Sequence, residues 1–130
     1  MALVGKWEYE SADNLDGYMD AAAIPEQLRA MAKNSKPVME ISNSGNSWTL
    51  KTTVSDKVKD TTFNIGEEFD SMSLAGQPLK CTVAMEGDKM VETQKQGDIT
   101  IVITREVAGD QLISKMTVGG QTATITFKKA

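Results

Sequence analysis

A nine-residue stretch from Ile99 to Val107 constrains the fold of this chain more than any other part of the sequence. Read with a period of two, one face carries Ile99, Ile101, Ile103, Arg105 and Val107. Successive side chains of a β-strand point to opposite faces, so this isoleucine-rich face should point inward. That places an arginine among isoleucines, although a guanidinium keeps its charge and its burial without a partner is costly. The pattern therefore predicts that Arg105 reaches water through a slipped strand, or that an anionic group meets it inside.

The length and composition indicate a single domain covering residues 1–130, large enough for a core or for a shell around a cavity. The net charge is −4 and basic residues do not cluster, which excludes a nucleic-acid partner. No apolar run approaches the roughly 20 residues that span a bilayer, and the N-terminus lacks the pattern of a signal peptide. Cys81 is alone, so an intrachain disulfide is excluded. These features predict a cytoplasmic protein.

The absence of histidine removes much catalytic chemistry. It excludes a histidine-based triad, a histidine-assisted cysteine and an ordinary zinc site. No glycine-rich phosphate loop or calcium-loop pattern is present either. The sequence therefore predicts no enzymatic activity, no metal site and no cofactor.

A helical hairpin is predicted near the N-terminus. Asp13 and Asn14 offer N-cap chemistry. Apolar residues follow at the spacing i, i+3, i+4 and i+7 of an amphipathic helix, namely Leu15, Tyr18, Met19 and Ala22. Pro25 ends this helix and begins a second one, because proline is tolerated in a first helical turn.

The rest of the chain alternates and is punctuated by turns. With the first strand, ten strands are predicted: Gly5 to Ser11, Val38 to Ser42, Ser47 to Val54, Val58 to Ile65, Glu67 to Ser73, Pro78 to Met85, Lys89 to Lys95, Ile99 to Val107, Leu112 to Val118 and Gln121 to Lys128. This spacing is typical of a β-barrel or a β-sandwich. The inward faces are aliphatic and rich in methionine, which suits either a core or, in a wide barrel, a cavity. The helical hairpin after the first strand would then form a lid.

Several short motifs occur in a specific order. They are Gly5-Lys6-Trp7, the segment from Asn14 to Met19, the segment from Phe63 to Asp70, and Arg105-Glu106-Val107 followed by Gly109-Asp110. Together they resemble the intracellular lipid-binding protein family, which includes fatty-acid-binding, bile-acid-binding and cellular retinoid-binding proteins. The resemblance covers essentially all 130 residues. It implies an all-β fold, a ten-stranded antiparallel up-and-down β-barrel (a β-clam) capped by an N-terminal helix-turn-helix.

The resemblance also implies a function: an intracellular carrier that binds long-chain fatty acids non-covalently inside the barrel, for solubilisation and transport. In this family an arginine in the column of Arg105 binds the ligand carboxylate. Relatives usually add an arginine and a tyrosine where this chain has Ile125 and Phe127, so Arg105 would act without that help. Bile salts, retinoids and a non-carrier role in protein interaction remain alternatives. For Arg105 itself, the alternatives are an internal pair with an acidic residue or exposure after a bulge.

The remaining site residues are expected to contact the ligand tail or line the cavity. They lie on the cap, on inward strand faces or at a turn that borders the opening: Leu15, Met19, Ile24, Leu28, Met31, Lys57, Val58, Phe63, Met72, Ile103, Met116, Ile125 and Phe127. Arg29, Lys33 and Lys36 would give the cap a basic face for transient contact with anionic membranes, worth about 1 kcal/mol each, unless this is an ordinary solvated helix face. A monomer is expected.

Overall fold

The computed structural model describes residues 3–21, 36–54, 57–72 and 78–130, and these residues form ten β-strands and one short helix. In chain order the elements are β1 (Gly5–Asp13), α1 (Leu15–Ala21), β2 (Val38–Ser44), β3 (Ser47–Val54), β4 (Lys57–Asn64), β5 (Phe69–Met72), β6 (Pro78–Glu86), β7 (Lys89–Gln96), β8 (Ile99–Ala108), β9 (Gln111–Val118) and β10 (Gln121–Lys129). The prediction of ten strands is confirmed. The second predicted helix lies outside the described residues.

All ten strands belong to one antiparallel sheet whose order is β4-β3-β2-β1-β10-β9-β8-β7-β6-β5. Strands that follow one another in the chain are neighbours, except β4 and β5, and β1 joins β10, so the meander curls into a nearly closed up-and-down barrel. The register of β1 against β10 shifts between Tyr9 and Ser11. Such a bulge bends a strand and increases its twist, which suits a strand that pairs with both β2 and β10.

The barrel is incomplete between β4 and β5, which stand at the two ends of the sheet order. The chain crosses this gap after β4, where the Gly66 N–H donates to the carbonyl oxygen of Val83 at 2.8 Å. Gly66 has a φ of 85°, a conformation that glycine adopts without steric cost. β4 and β5 are therefore not neighbours in the sheet, but the rings of Phe63 on β4 and Phe69 on β5 stack across the gap with their centroids 5.2 Å apart.

Helix α1 lies against the turn between β9 and β10. Asn14 precedes the helix with a φ of 56°, and its Nδ2 donates to the carbonyl oxygen of Thr122 at 2.9 Å and to Oε1 of Gln121 at 3.3 Å. The Tyr18 N–H donates to the Asn14 carbonyl at 3.2 Å and closes the first helical turn. One asparagine thus fixes both the start of the helix and its position on the barrel. No helix in the described ranges is long and apolar enough to cross a membrane.

The inward side chains form two apolar clusters. The tryptophan cluster contains the buried residues Leu3, Trp7, Met39, Ile41, Trp48, Leu50, Phe63, Val83, Met90, Leu112 and Phe127. The helix-side cluster contains Tyr18, Met19, Ile101, Ile103, Val118 and Ala123, with Leu15, Ala21, Ile99 and Met116 packed against it. Because α1 contributes to the second cluster, the two clusters mark the far end and the helix end of the barrel.

The alternation along β8 confirms the inward face predicted for this strand. Ile101, Ile103 and Arg105 are all buried, and the residues between them are more exposed. Since Ile101 and Ile103 belong to the helix-side cluster and Val107 packs against the tryptophan cluster, Arg105 lies between the two. The fold therefore places a cation inside the barrel, at the boundary of its two apolar regions.

Candidate functional site

Four buried polar residues from three adjacent strands form a belt between the two apolar clusters. Glu92 and Gln94 come from β7, Arg105 from β8 and Ser114 from β9. They converge because each lies on the inward face of its strand: Arg105 is directly opposite Ser114 in the register of β8 and β9. We call these four residues the polar belt.

The polar belt contains a buried ion pair. Arg105 Nη1 donates to Glu92 Oε1 at 2.7 Å, and each of the two side chains is only 8% exposed. The other carboxylate oxygen, Oε2, accepts a hydrogen bond from Gln94 Nε2 at 2.5 Å. Arg105 is thus met inside the barrel by an acidic side chain, one of the alternatives that the sequence left open.

One buried nitrogen of the Arg105 guanidinium, Nε, lacks a hydrogen-bond partner among the residues that the structure describes. Buried polar groups in native proteins are almost always hydrogen-bonded, so an unpartnered donor calls for an explanation such as a water molecule or a ligand. An N–H group of this kind can donate a hydrogen bond to an oxygen atom.

The electrostatics of the polar belt follow from burial and from the ion pair. Burial by itself would raise the pKa of the Glu92 carboxyl group, but the charge of Arg105 and hydrogen bonds from Gln94 and Arg105 outweigh it and lower the pKa. Lys59 on β4 adds to this effect. Burial lowers the pKa of Lys59 itself, against the opposing attraction of Glu92. Glu92 is therefore ionised at neutral pH.

Two further titratable groups face the polar belt. Burial, and then the charge of Glu92, raise the pKa of the Tyr18 hydroxyl to about 12. The same two causes raise the pKa of the Cys81 thiol to about 11. Both groups stay protonated at neutral pH, so Cys81 is not an activated nucleophile, because the thiolate is the reactive form. Within the described ranges, cysteine and acidic side chains form no group of three that could hold a metal ion.

The predicted tail-contacting residues fall into three groups. Leu15, Met19, Ile103 and Met116 lie in or against the helix-side cluster, and Phe63, Ile125 and Phe127 lie in or against the tryptophan cluster. Ile24, Leu28 and Met31 lie outside the described residues, as do the side chains of Lys57 and Met72. The residues of the first two groups surround the polar belt from both sides, and their contact with a ligand stays a prediction.

Val58 is the second residue of β4. It lies on the outer face of β4 and is 54% exposed, whereas Lys59, Thr61 and Phe63 occupy the alternate positions that face inward. Val58 instead helps to line an open groove of about 480 Å³ at the gap between β4 and β5. Its expected contact with a ligand at a turn that borders the opening stays a prediction.

Sequence reasoning missed Glu92, Gln94 and Lys59. The signal for the first two was present, because Met90, Glu92 and Gln94 share one face of a strand that was correctly predicted. That face breaks the apolar pattern at two positions, as β8 does at Arg105. Two strands with polar residues on their inward faces, one acidic and one basic, were a sign of an internal pair.

A family model described as the lipocalin / cytosolic fatty-acid binding protein family matches residues 1–130. The chain belongs to this family. Sodium/calcium exchanger regulatory protein 1 of Doryteuthis pealeii is 35% identical over 127 residues, which cover 98% of this chain and 96% of that protein. Fatty acid-binding protein type 2 of Fasciola hepatica is 35% identical over 128 residues, which cover 98% of this chain and 97% of the relative.

A solved structure of the Schistosoma mansoni fatty acid binding protein in complex with arachidonic acid has the same fold. Its TM-score with this chain is 0.96 at 30% sequence identity, over 99% of this chain and 96% of that one. Membership of the family and this similarity both extend over nearly the whole chain. The barrel and the helix therefore belong to a fold used by a family of lipid carriers.

Proposed function

We propose that this protein is an intracellular carrier that binds a long-chain fatty acid non-covalently inside the barrel, for solubilisation and transport. The observation that carries the proposal is the polar belt: a buried arginine with an unpartnered Nε–H, enclosed by two apolar clusters. An amphipathic molecule with a small polar head and a long apolar tail matches this distribution of polarity. The fatty-acid-binding relatives and the arachidonic acid complex support the same ligand class.

The head group would lie at Arg105 and the tail along apolar side chains. A charge-assisted hydrogen bond from the guanidinium to a carboxylate is among the stronger pairings in proteins. We place the tail along the helix-side cluster, past Ile103 and Met116 toward Met19 and Leu15. Affinity would come mainly from removing methylene groups from water, at about 0.8 kcal/mol each. Chain length should therefore affect affinity more than the exact structure of the tail.

Several properties accompany this proposal. Binding and release require the cap or the neighbouring turns to open, as in other proteins that enclose their ligands. The basic residues Arg29, Lys33 and Lys36 of the cap segment would support transient contact with anionic membranes. We further propose a cytoplasmic monomer without catalytic activity. The raised pKa of the Cys81 thiol supports the last point.

Ligand extraction tests the proposal directly. The protein is purified without detergent or added lipid, its bound lipids are analysed by mass spectrometry, and the delipidated protein is titrated with oleate, a bile salt and retinol. A bound fatty acid and oleate uptake at one or two sites are expected. An empty barrel together with no uptake of oleate would contradict the carrier function, and a preference for the bile salt or retinol would reassign the ligand within the family.

The role of Arg105 is tested by comparing an acid with its alcohol. Arg105→Leu should weaken oleate far more than oleyl alcohol, because only the acid brings a carboxylate. Lys115→Leu removes an exposed cation from the neighbouring β9 and should change neither affinity. The double variant E92L/R105L repeats the test without leaving the Glu92 carboxylate unpaired inside the barrel. Equal losses for acid and alcohol would remove Arg105 from the head-group site.

A second candidate function is regulation of a membrane transporter through protein contact. The similarity to sodium/calcium exchanger regulatory protein 1 of Doryteuthis pealeii favours it. The two functions are compatible if the loaded barrel is the form that a partner binds. A protein that takes up no lipid in the titration above would leave only the interaction role.

A further inference from the structure

The polar belt already contains an acid at the point where an acid ligand would bind. Glu92 accepts a hydrogen bond from Arg105 at 2.7 Å, and both side chains are more than nine-tenths buried. The charge of the arginine is therefore balanced before any ligand arrives. A ligand carboxylate at the free Nε–H would place two carboxylates on one guanidinium. Two carboxylates that share a buried site do not both stay ionised, because their repulsion favours retention of one proton.

We propose that Glu92 determines head-group specificity in this barrel, and that a fatty acid is held at Arg105 together with one proton shared between its carboxyl group and Glu92. This inference rests on the carrier function proposed above. The proton comes from solvent: a fatty-acid anion and one proton enter, the proton forms an O–H bond with one of the two carboxylates, and no other covalent bond forms or breaks. The complex then keeps one negative charge against Arg105, as the free protein does.

The groups that face Glu92 are consistent with this exchange. They are Tyr18 from α1, Lys59 from β4, Cys81 from β6 and Arg105 from β8, in addition to Gln94 on the same strand. Tyr18 and Cys81 are neutral, and they supply no charge to balance a second carboxylate.

Lys59 is the other cation in this set, and burial lowers its pKa against the opposing attraction of Glu92. Gln94 can accommodate either state of Glu92, since an amide offers both a donor and an acceptor. Glu92 is therefore the group in the belt that can take up the proton without losing its partners.

The proposal predicts different pH dependences for acids and alcohols. Binding of an acid takes up a proton, so its affinity should fall as the pH rises through the range in which the free protein and free ligand are both ionised. A fatty alcohol brings no charge and can donate its hydroxyl to Glu92, so its affinity should not change. The barrel would favour fatty acids at lower pH and neutral head groups at higher pH.

The test measures proton uptake directly. Oleate and oleyl alcohol are titrated calorimetrically into the delipidated full-length protein between pH 6.5 and 8.5 (about two units, enough to resolve a linked proton), in buffers of different ionisation enthalpy. The variants are Glu92→Gln, which keeps the shape and one acceptor, and Glu106→Gln as a matched control. Glu106 is an acidic residue of the neighbouring strand β8. It lies on the outer face and is paired with Lys89.

For the unaltered protein and E106Q, we expect close to one proton taken up per oleate and an affinity that falls by up to about tenfold per pH unit. E92Q should take up none and bind oleate more tightly at high pH, and oleyl alcohol should show no uptake in any variant. Tight oleate binding without proton uptake by the unaltered protein would overturn the role of Glu92 and leave the carrier function intact. If the unaltered protein bound neither oleate nor oleyl alcohol, the carrier function itself would be overturned. The result for the unaltered protein decides the proposal even if E92Q does not fold.

Discussion

At the scale of single residues, the Arg105–Glu92 pair determines the chemistry of the interior. Removing two charges from water costs several kcal/mol for each ion, and their attraction offsets this only with good geometry and further hydrogen bonds. Here the contact is short and Gln94 holds the second carboxylate oxygen. Each charge is therefore tolerated only because the other is present.

Removal of one partner should destabilise the protein more than removal of both. Arg105→Leu leaves Glu92 buried and unpaired, so we expect a loss of about 3–5 kcal/mol in the free energy of unfolding at neutral pH. The double variant E92L/R105L should recover most of that loss, because a well-packed apolar pair can replace a buried ion pair at little cost. Urea denaturation of the three proteins measures both values. If the double variant were as unstable as R105L, packing and not charge would explain the effect.

Acid should weaken the same pair. The pKa of Glu92 is lowered in the folded protein, so its stabilising effect is complete above the pKa of the unfolded chain, about 4.3 for a glutamate. This stabilisation is lost as the pH falls from about 4.3 through the lower pKa that Glu92 has in the folded protein. The free energy of unfolding should therefore decline more steeply in this range for the unaltered protein than for E92L/R105L. Parallel declines in denaturation series between about pH 6 and 3 would show that Glu92 contributes nothing to acid sensitivity.

At the scale of elements, the short helix α1 depends on contacts outside itself. A seven-residue helix is marginal in water, so tertiary packing and its N-terminal residue must hold it in place. Asn14 begins the helix in a left-handed conformation, and its side chain donates to the carbonyl oxygen of Thr122 at the start of β10. Met19, which is buried in the helix-side cluster, provides the apolar part of the attachment.

Substitutions at Asn14 should separate its two roles. Asn14→Gly removes the side-chain hydrogen bonds and keeps a residue that accepts positive φ, whereas Asn14→Ala adds a backbone cost of about 1–2 kcal/mol. We therefore expect the alanine variant to be the less stable of the two in urea denaturation. Both should release a bound fluorescent fatty acid faster, if α1 covers the ligand. Equal stability of the two variants would contradict a role for the backbone conformation.

At the scale of the whole molecule, the barrel wall lacks strand pairing at the gap between β4 and β5. β5 has only four residues and pairs with β6, while β8, β9 and β10 are paired along most of their length. The groove at the gap is lined by residues of both edge strands, and one of them, Lys59, also interacts electrostatically with Glu92 and Arg105. The groove at the gap therefore lies near the polar belt.

Hydrogen exchange should follow this distribution of pairing. Amides of β8, β9 and β10 are expected to exchange slowest, because opening them disrupts ladders on both sides. Amides of β5 and of the outer edge of β4 should exchange faster by local opening. Peptide-resolved exchange with mass spectrometry measures this order, and saturating oleate should slow exchange at the gap if the interior is filled. Uniform protection around the barrel would show that the gap is closed in solution.

The sequence by itself determined the strands, their phase and the inward position of Arg105. These features are local: alternation and turn residues act over a few positions, so the strand ends were predicted to within two residues of those observed. The phase of β4 follows the same alternation, with Phe63 buried and Val58 exposed. The family resemblance, carried by short ordered motifs, was confirmed over the full chain.

Only the tertiary structure decided what meets Arg105. Glu92 is thirteen residues away in the chain and lies on the neighbouring strand, diagonally across the ladder, since its direct partner there is Ile103 and that of Arg105 is Met90. Contacts of this kind depend on strand register and on how side chains lean across it, which no local pattern specifies. The stretch from Ile99 to Val107 thus predicted either water or an anionic group beside Arg105, and the pairing of β7 with β8 placed Glu92 there.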